Sequence, residues 1–510
     1  MSEKYELKTN IPENLGIPSE AILNFIEHLE RRKLCIHSFL IMRHGEIAAE
    51  GYYPPFKADT LHRMYSQSKT FVSVAIGMLI DEGKLKLSDK VADFFPEYQP
   101  ENMHPFIAEA TVRDLLMMAQ PYEWTTYGMN DENWVWTFLN RKPLQKSGTV
   151  FMYNTGSTVM LNGIVEKLSG KNLIDYMRPK LLDPLGFSKD AWCIERPEGG
   201  AWGGSGVMCS THDMAKFALM LLDKGKCRHS GEQLVSEEYI IQATSAQIDN
   251  RVSTDSPELQ FGYGYQIWRT RNNGFAMVGM GSQLSVCVPD KDLVFIITAD
   301  TQIVPQANDM ILDIFWTEVY PYIYINEDNL SENKNNKSAY DKLQNKLNNL
   351  MFLPVEGKRT SHKSHELFSG KKYVLDKNPM NMSDVHFTLE KNDTGVMKYT
   401  NSTGSHEIRF GVCKYEDEVR EFPETYYFGR KIGVPKGSGY KYKASGAWFD
   451  DETLIIYLYV IDDYVGTLKI NAKFNENENG TLTLFMRKSA EWFLDEYEGI
   501  ATGIQEYRNN

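Results

Sequence analysis

The chain has 510 residues, of which 42% are hydrophobic and 24% are charged. These proportions are typical of a globular protein, and the length exceeds that of one ordinary domain, so we expect about two or three domains. The formal net charge of −13 argues against nucleic acid or an anionic membrane surface as a partner.

The cysteines and the N-terminal segment indicate where the chain works. No two of the six cysteines have the CxxC spacing of a metal knuckle or a redox motif. Small buried residues in a reducing compartment are therefore favoured over a disulfide framework. The N-terminal segment lacks the apolar core of a signal peptide, and no window has the length and apolarity of a membrane span. The sequence predicts a cytoplasmic protein without a metal or other cofactor.

The first predicted elements are an amphipathic helix that starts at Pro18-Ser19 and a β-hairpin that turns at His44-Gly45. The next is a helix from Ser66 that ends near Gly83, a good C-cap residue. Its side chains are apolar on every side, which is typical of a helix buried in a domain centre. Ser66 is the expected N-cap of this helix. Lys69 shares its face, because residues three apart are neighbours on a helix.

Further helices are predicted from Thr111 and over residues 159–168, before a stop at Gly170. Strands at both ends of this part of the chain, with helices between them, predict an α/β (α+β) fold in which an antiparallel sheet is flanked by helices. The remaining elements of this domain are strands over 259–269, 274–288 and 293–298 and a closing helix over 308–317.

A change in composition divides the chain after residue 325. Residues 326–353 are rich in Asn, Lys, Glu and Ser, which predicts a linker with one polar helix around 339–350. From 354 to 510, short alternating runs separated by turn residues predict an all-β barrel or sandwich without catalytic residues, a structural or substrate-gating accessory domain. Its predicted strands cover 371–375, 384–389, 454–460, 466–470 and 481–486.

Ser66 and Lys69 have the chemistry of an acyl-transfer site, which needs a nucleophile, a base and an oxyanion stabiliser. Ser66 is the candidate nucleophile, and a lysine in an otherwise apolar helix is costly to bury unless it is paired. Tyr153, in the block of residues 148–156, is the candidate base. Unperturbed lysine and tyrosine lose protons near pH 10, so a base at pH 7 requires a pKa shift of about three units in one of them. Which of the two holds the proton stays open.

Each candidate also has a structural interpretation. Ser66 could be only a helix cap, and Tyr153 only an aromatic core residue. His62 lies four residues before Ser66 and would form part of a Ser/His/Asp triad only through chance geometry, so we predict a structural role for it. The pair His212-Asp213 is typical of a helix N-cap, and no histidine has the spacing of a metal site.

Four blocks in this order resemble the serine β-lactamase and penicillin-binding-protein superfamily: residues 66–69, 148–156, 202–217 and 279–283. The chain is most similar to the class C β-lactamase-related branch, which includes esterases, D-amino-acid peptidases and 6-aminohexanoate-oligomer hydrolases. The resemblance covers roughly residues 15–320. It implies a β-lactamase-like fold with an all-helical subdomain and a serine hydrolase that forms an acyl-enzyme.

The chain departs from class C β-lactamases at two of these blocks. Their Y-x-N element appears as Tyr153-Asn154-Thr155, with Thr155 in place of asparagine. Their K-T-G strand corresponds to residues 278–282, which include no cation to hold the carboxylate of a β-lactam. The small residues still suit an oxyanion site formed by the amide of Ser66 and one near Gly281 or Ser282. Thr155, Gly281 and Ser282 are therefore the predicted substrate-binding residues.

The sequence thus predicts hydrolysis of an ester or amide in a small-molecule or peptide-like substrate, with the oligomeric state open. A true β-lactamase or a D-amino-acid peptidase is the first alternative. The second, from another class, is a penicillin-binding-protein-like sensor without turnover or a pseudo-enzyme that acts through its C-terminal domain. The loop 121–136 predicts either an aromatic-lined pocket or core packing for Tyr122, Trp124, Tyr127, Trp134 and Trp136.

Overall fold

The computed structural model describes residues 5–128, 130–324, 337–360, 369–390, 392–416, 418–425, 439–475, 480–491 and 496–506. They form two compact units. The first contains the described residues of Met1–Thr301 together with Gln306–Leu350, and the second contains Gln302–Pro305 and the described residues after Leu350. The predicted division at residue 325 lies outside the described residues, so the three predicted domain ranges remain a prediction.

The first unit is an α/β unit, as predicted. Within its described residues, strands β1 to β10 are Lys8–Thr9, Ile36–Arg43, Glu46–Tyr52, His62–Arg63, Trp192–Cys193, Val207–Cys209, Trp268–Arg269, Phe275–Gly279, Gln283–Val288 and Leu293–Ala299. Helices α1 to α11 are Ser19–Arg31, Ser68–Asp81, Pro105–Ala108, Val112–Leu116, Trp134–Asn140, Thr155–Ser169, Leu173–Met177, Thr211–Leu222, Glu237–Thr244, Ala307–Glu318 and Lys337–Asn348.

A seven-stranded sheet forms the centre of this unit, in the order β1-β3-β2-β10-β9-β8-β7. All neighbours pair antiparallel except β1 and β3. Alternate residues point to opposite faces of a strand. On one face, Phe25 of α1 packs edge-on against Phe39 and Phe295. On the other face, the Ser38 hydroxyl bonds to Thr211 at the start of α8. Helices therefore cover both faces of the sheet.

Helix α2 is buried on every side over its first twelve residues, which confirms the prediction from its apolar sequence. It starts at Ser68, however, after a 3₁₀ turn over Tyr65–Gln67. The expected role of Ser66 as N-cap is wrong, because neither cap position in front of these elements makes a side-chain capping bond. The Ser66 hydroxyl is instead bonded to Lys69. Gly83 follows the helix with φ of 70°.

Three other predictions are corrected. The predicted strand 259–269 is a strand at Trp268–Arg269, has an isolated bridge at Tyr263 and begins in the 3₁₀ turn Pro257–Leu259. The predicted strand 274–288 is a hairpin of β8 and β9, which turns where Gly281 and Ser282 have φ of 74° and 66°. The N-cap of α8 is Ser210 rather than His212-Asp213, and Asp213 completes a capping box with it.

The second unit is a closed β-barrel, so the predicted alternative of a sandwich does not hold. Among its described residues, ten strands follow the order β14-β13-β12-β11-β20-β19-β18-β17-β16-β15, and β14 also pairs with β16 to close the sheet. All five predicted strands are present. In the described chain, β11 to β20 are Lys372–Leu375, Asp384–Glu390, Thr394–Asn401, Gly404–Val412, Arg420–Thr425, Gly439–Trp448, Thr453–Ile461, Val465–Asn475, Thr481–Ala490 and Tyr497–Gln505.

None of the helices in the described ranges combines the length and apolarity needed to cross a membrane.

The predicted polar helix is α11, and it packs on α1 within the first unit. Leu343 on α11 is fully buried, and Lys346 Nζ donates to Glu30 Oε2 at 2.6 Å. Leu350, after the helix, is 5% exposed and lies against Gly51 of β3. This helix therefore contributes to the stability of the first unit.

A fragment that ends after Leu350 should be more stable than one that ends near residue 325. Each leucine side chain buried by α11 contributes about 1.5–3 kcal/mol to the free energy of unfolding. Urea unfolding of the two fragments measures the difference. In the longer fragment, Leu343→Ala should remove about 2–5 kcal/mol. Equal unfolding midpoints for the two fragments would contradict this assignment of α11.

Candidate active site

Ser66 lies in the 3₁₀ turn between β4 and α2, and the structure anchors this turn firmly. Gln67 is fully buried, and its Oε1 accepts from Ser285 Oγ of β9 at 2.6 Å. Tyr65 has φ of 47°, in the left-handed region that side chains other than glycine rarely adopt. Tyr65 and Gln67, on either side of Ser66, are buried, whereas Ser66 keeps part of its surface accessible. The turn therefore presents one hydroxyl to a substrate.

Lys69 is brought directly onto Ser66. Its side chain is 1% exposed, and Nζ donates to Ser66 Oγ at 2.8 Å. The same nitrogen donates to the carbonyl oxygen of Gly204 at 2.8 Å. It also lies 5.1 Å from the centroid of the Tyr153 ring. The buried amine is thus held between the Ser66 hydroxyl, a backbone carbonyl and an aromatic face.

Tyr153 is the third member of this cluster, with its hydroxyl close enough to Ser66 for the two side chains to interact. Its ring stacks on Trp268 at 5.2 Å and meets Tyr263 edge-on at 6.3 Å. Burial of the hydroxyl raises the pKa of Tyr153 above its usual value of 10, and the interaction with Ser66 offsets part of this rise. The phenol therefore carries its proton at neutral pH.

Side chains that the sequence analysis did not single out hold Tyr153 in place. Gln120 is fully buried; its Nε2 donates to Met152 O at 2.8 Å, and its Oε1 accepts from Ser157 Oγ at 2.9 Å. Asn154 caps α6 by accepting from Gly156 N at 2.8 Å. The loop before Tyr153 is thereby tied to the start of α6 on both sides. A lone glutamine carries no sequence signal for this role.

The carbonyl that binds Lys69 belongs to a glycine-rich loop, residues 202–206. A Cβ at Gly203 would lie 2.5 Å from Val72 Cγ2, and one at Gly204 would lie 2.5 Å from Thr155 Cγ2. Real Cβ atoms do not approach neighbours this closely, so only glycine lets the loop reach Lys69 between α2 and α6. The consecutive glycines were the available signal in the sequence, although the sequence analysis gave them no role.

The predicted substrate-binding residues fall into different places. Thr155 begins α6, with its methyl group beside Gly204. Gly281 and Ser282 form the hairpin turn after β8, and Ser282 is 1% exposed, with its hydroxyl bonded to Thr301 and Asn308. The Ser282 side chain is therefore committed to the interior.

Gly279 of β8, for which no role was predicted, lies directly against Met64, the residue that precedes the Ser66 turn. A Cβ there would lie 2.4 Å from Met64 O. Strand β7 pairs only with Phe275 and Ala276, so among the described strands β8 has no partner on that side beyond Ala276. The next residue, Met280, is 38% exposed. An open strand edge therefore lies next to Ser66.

His62 is directed away from a catalytic role. Its Nε2 pairs with His37 Nδ1 at 2.8 Å, and its Nδ1 pairs with Arg63 O at 2.9 Å. Burial lowers the pKa of His62 to about 4 and also lowers that of His37. Both ring nitrogens are engaged without Ser66, which agrees with the predicted structural role.

The aromatic loop 121–136 divides between core and surface. Tyr122, Tyr127 and Trp134 are buried, and Tyr127 stacks on Trp134 at 4.0 Å. Trp124 is 76% exposed and Trp136 is 48% exposed. Because the Trp124 carbonyl accepts from Asn154 Nδ2, Trp124 lies beside the Tyr153 block. In the described ranges, no group of three or more His, Cys, Asp and Glu side chains is placed to hold a metal ion.

Comparison with known protein families and proteins identifies one matching family. The family model described as Beta-lactamase matches residues 37–310, more than half of the chain. The 6-aminohexanoate-dimer hydrolase of Paenarthrobacter ureafaciens is 25% identical over 285 residues, which cover 51% of this chain and 72% of that protein.

Two solved structures show more distant similarity. A family VIII carboxylesterase is 16% identical, with a TM-score of 0.49 over 61% of this chain and 99% of its own. A penicillin-binding protein homologue from Caulobacter crescentus is 15% identical, with a TM-score of 0.47 over 58% of this chain and 93% of its own.

The His37–His62 pair predicts a loss of stability in acid. The unfolded state binds a proton on His62 below its ordinary pKa near 6.5, whereas the folded state stays neutral down to about pH 4. The neutral pair should therefore contribute its whole share of the free energy of unfolding above pH 6.5. That free energy should fall by up to about 3 kcal/mol as the pH approaches 4. Urea unfolding at pH 7, 5.5 and 4.5 measures this slope. His62→Gln should have a shallower slope, and an identical slope in the variant would refute the assignment.

Proposed function

The chain belongs to the beta-lactamase family of serine hydrolases, and we propose that it cleaves an ester or amide bond through an acyl-enzyme on Ser66. The observation that carries this proposal is the meeting of three groups at one oxygen. Ser66 Oγ is bonded to Lys69 Nζ at 2.8 Å and lies beside the Tyr153 hydroxyl, at the accessible point of a buried turn. A nucleophile with two proton-transfer groups in hydrogen-bond reach has the arrangement that covalent catalysis needs.

In the proposed acylation, Ser66 attacks the carbonyl carbon and its proton passes to Lys69. A neutral amine can accept from Ser66 Oγ while one of its N–H groups still donates to Gly204 O, so the observed contacts suit both protonation states. Tyr153 enters this step with its proton, because burial raises its pKa. It gives that proton to the leaving alcohol or amine as the bond to the carbonyl carbon breaks. The products are an ester on Ser66, a lysine ammonium and a tyrosinate.

Deacylation reverses these roles. The tyrosinate takes a proton from water, and the resulting hydroxide attacks the acyl carbon. The Lys69 ammonium returns its proton to Ser66 Oγ as the ester bond breaks, which restores all three groups. The ammonium would lie near the tyrosinate, since Nζ is 5.1 Å from the centroid of the Tyr153 ring, and nearby opposite charges stabilise each other. Lys69 and Tyr153 thus act as one proton-transfer unit.

For the oxyanion we propose the amide of Ser66 together with an amide at the open edge of β8. Gly279 brings this strand into contact with the residue two positions before Ser66, so the amide of Met280 is the better candidate. Gly281 and Ser282 lie farther along, in the turn, and Thr301 N donates to the Gly281 carbonyl. Preorganised backbone donors aimed at the developing charge are the main electrostatic contribution in acyl transfer.

The proposed substrate is an ester or amide that is bound without a carboxylate-holding cation from residues 274–290. The relative named as a 6-aminohexanoate-dimer hydrolase supports an amide among the substrates. We also propose a cytoplasmic location, because the six cysteines Cys35, Cys193, Cys209, Cys227, Cys287 and Cys413 are free thiols, which suits a reducing compartment.

Ser66→Ala should abolish labelling by a fluorophosphonate and lower ester turnover about a thousandfold or more, because the nucleophile is lost. Tyr153→Phe should lower turnover about a hundredfold, since it removes the group that protonates the leaving group. Mass spectrometry of the labelled protein and steady-state kinetics are the measurements. Tyr265→Phe is the matched control: its hydroxyl bonds to Gln242. If Tyr153→Phe retains more than about a tenth of wild-type turnover, Tyr153 is not the acid–base group. Labelling without ester turnover would favour a sensor.

Short acyl esters should be better substrates than β-lactams. The run from Gly274 to Asp290 contains no lysine or arginine, so the position of the K-T-G cation is not filled. Loss of one charge-assisted hydrogen bond should lower specificity for a β-lactam about tenfold to a hundredfold. The measurement is kcat/KM for a p-nitrophenyl acyl ester and for nitrocefin with the same preparation. A tenfold advantage for nitrocefin would replace this proposal with a β-lactamase.

A further inference from the structure

Arg63, three residues before Ser66, has an unusual environment for a charged side chain. It is fully buried in β4, which pairs with β6. Its Nε donates to Ser205 O at 3.0 Å, and its second terminal nitrogen donates to Ser205 Oγ at 2.9 Å. Its guanidinium also lies 4.3 Å from the ring centroid of Tyr65 and 4.9 Å from that of Trp202. Only arginine combines a planar fork of donors with stacking on aromatic rings.

These contacts join the two segments that define the proposed catalytic centre. Tyr65 is the residue directly before Ser66, and its left-handed φ of 47° requires support from its surroundings. Ser205 follows Gly204, the residue whose carbonyl accepts from Lys69 at 2.8 Å. Arg63 and Lys69 therefore bind carbonyl oxygens of adjacent residues in the same loop. A glycine-rich segment has little conformational preference of its own, so external contacts must set the direction of its carbonyls.

We propose that Arg63 is a positioning residue for the Ser66–Lys69 pair. It fixes the loop 202–206 relative to the Ser66 turn, so that the Gly204 carbonyl points at Lys69 Nζ and keeps this nitrogen on Ser66 Oγ. Arg63 acts through Lys69 and has no contact with the substrate. The inference rests on the proposed function, because it concerns the proton transfer from Ser66. Loss of this alignment slows proton transfer without removing any reacting group.

Arg196, a second buried arginine, lies shortly before the loop 202–206 and offers a matched control. Arg196 pairs with Glu166 at 2.8 Å and with Glu198 at 3.2 Å, and its second terminal nitrogen donates to Gly199 O at 3.1 Å. These contacts tie the residues before the loop 202–206 to α6, and none of them involves Ser205 or Tyr65. A purely structural role for Arg63 would make the two arginines equivalent.

The test compares Arg63→Met, Arg63→Lys and Arg196→Met in the full chain. The measurements are kcat and KM for a p-nitrophenyl acyl ester, the rate of fluorophosphonate labelling and the melting temperature. For Arg63→Met, kcat and the labelling rate should fall about tenfold to a hundredfold, while KM stays within about threefold of the wild-type value. Arg63→Lys retains the charge but not the planar fork of donors, so its kcat should lie between that of the wild type and that of Arg63→Met. Arg196→Met should keep kcat within about threefold of the wild-type value, even if its melting temperature falls as far as that of Arg63→Met.

Two results would overturn the inference. One is that kcat falls in proportion to the melting temperature, and to the same degree, in the Arg63 and Arg196 variants. The other is an Arg63→Met protein that reacts at the wild-type rate. If Arg63→Met does not fold, Arg63→Lys decides, and a wild-type kcat in that variant overturns the inference. Failure of the proposed function is separate: the wild-type protein itself would then neither be labelled at Ser66 nor turn over the ester.

Discussion

A buried lysine that must keep its hydrogen-bond partners is the constraint on which the active centre depends. Lys69 is 1% exposed in a helix of almost wholly apolar residues, where an amine without partners would be costly. Two of its partners come from different parts of the chain: Ser66 lies in the turn before the helix, and Gly204 lies in a loop far along the sequence. Because one partner is the proposed nucleophile, the bond that makes burial tolerable also places the amine beside the hydroxyl whose proton it would receive.

Close backbone approach is the means by which the first unit assembles this centre. Gly203 and Gly204 let a loop pass between α2 and α6, and Gly279 lets β8 lie against Met64. Each of these positions would place a Cβ within 2.5 Å of another atom, so a larger residue would force the segments apart. In the same centre, burial raises the pKa of Tyr153, which keeps part of its surface accessible. A tyrosine with a raised pKa keeps its proton at neutral pH, which suits the proposed role as the group that protonates the leaving group.

Much of the fold could be predicted from the sequence, because its signals are local. The all-apolar helix α2, the alternating strands of the barrel and the hairpin of β2 and β3 follow from side-chain periodicity. Periodicity does not reveal which strand edges meet. The closure of the barrel through β14 and β16, and the packing of the polar helix α11 on α1, depend on pairings between residues distant in sequence. The break in the predicted strand 274–288 depends on two positive φ angles, which a run of small residues does not specify.

For the active centre, the sequence by itself determined the residue types and the order of the blocks that contain Ser66, Lys69 and Tyr153. Helical spacing is enough to place Lys69 near Ser66, since the two are one turn apart. Only the tertiary structure decided that Ser66 lies in a 3₁₀ turn rather than at a helix cap, that Gly204 supplies the second partner of Lys69, and that His62 faces His37. These features are contacts between segments far apart in the chain, and their energies depend on burial and distance, which no local pattern encodes.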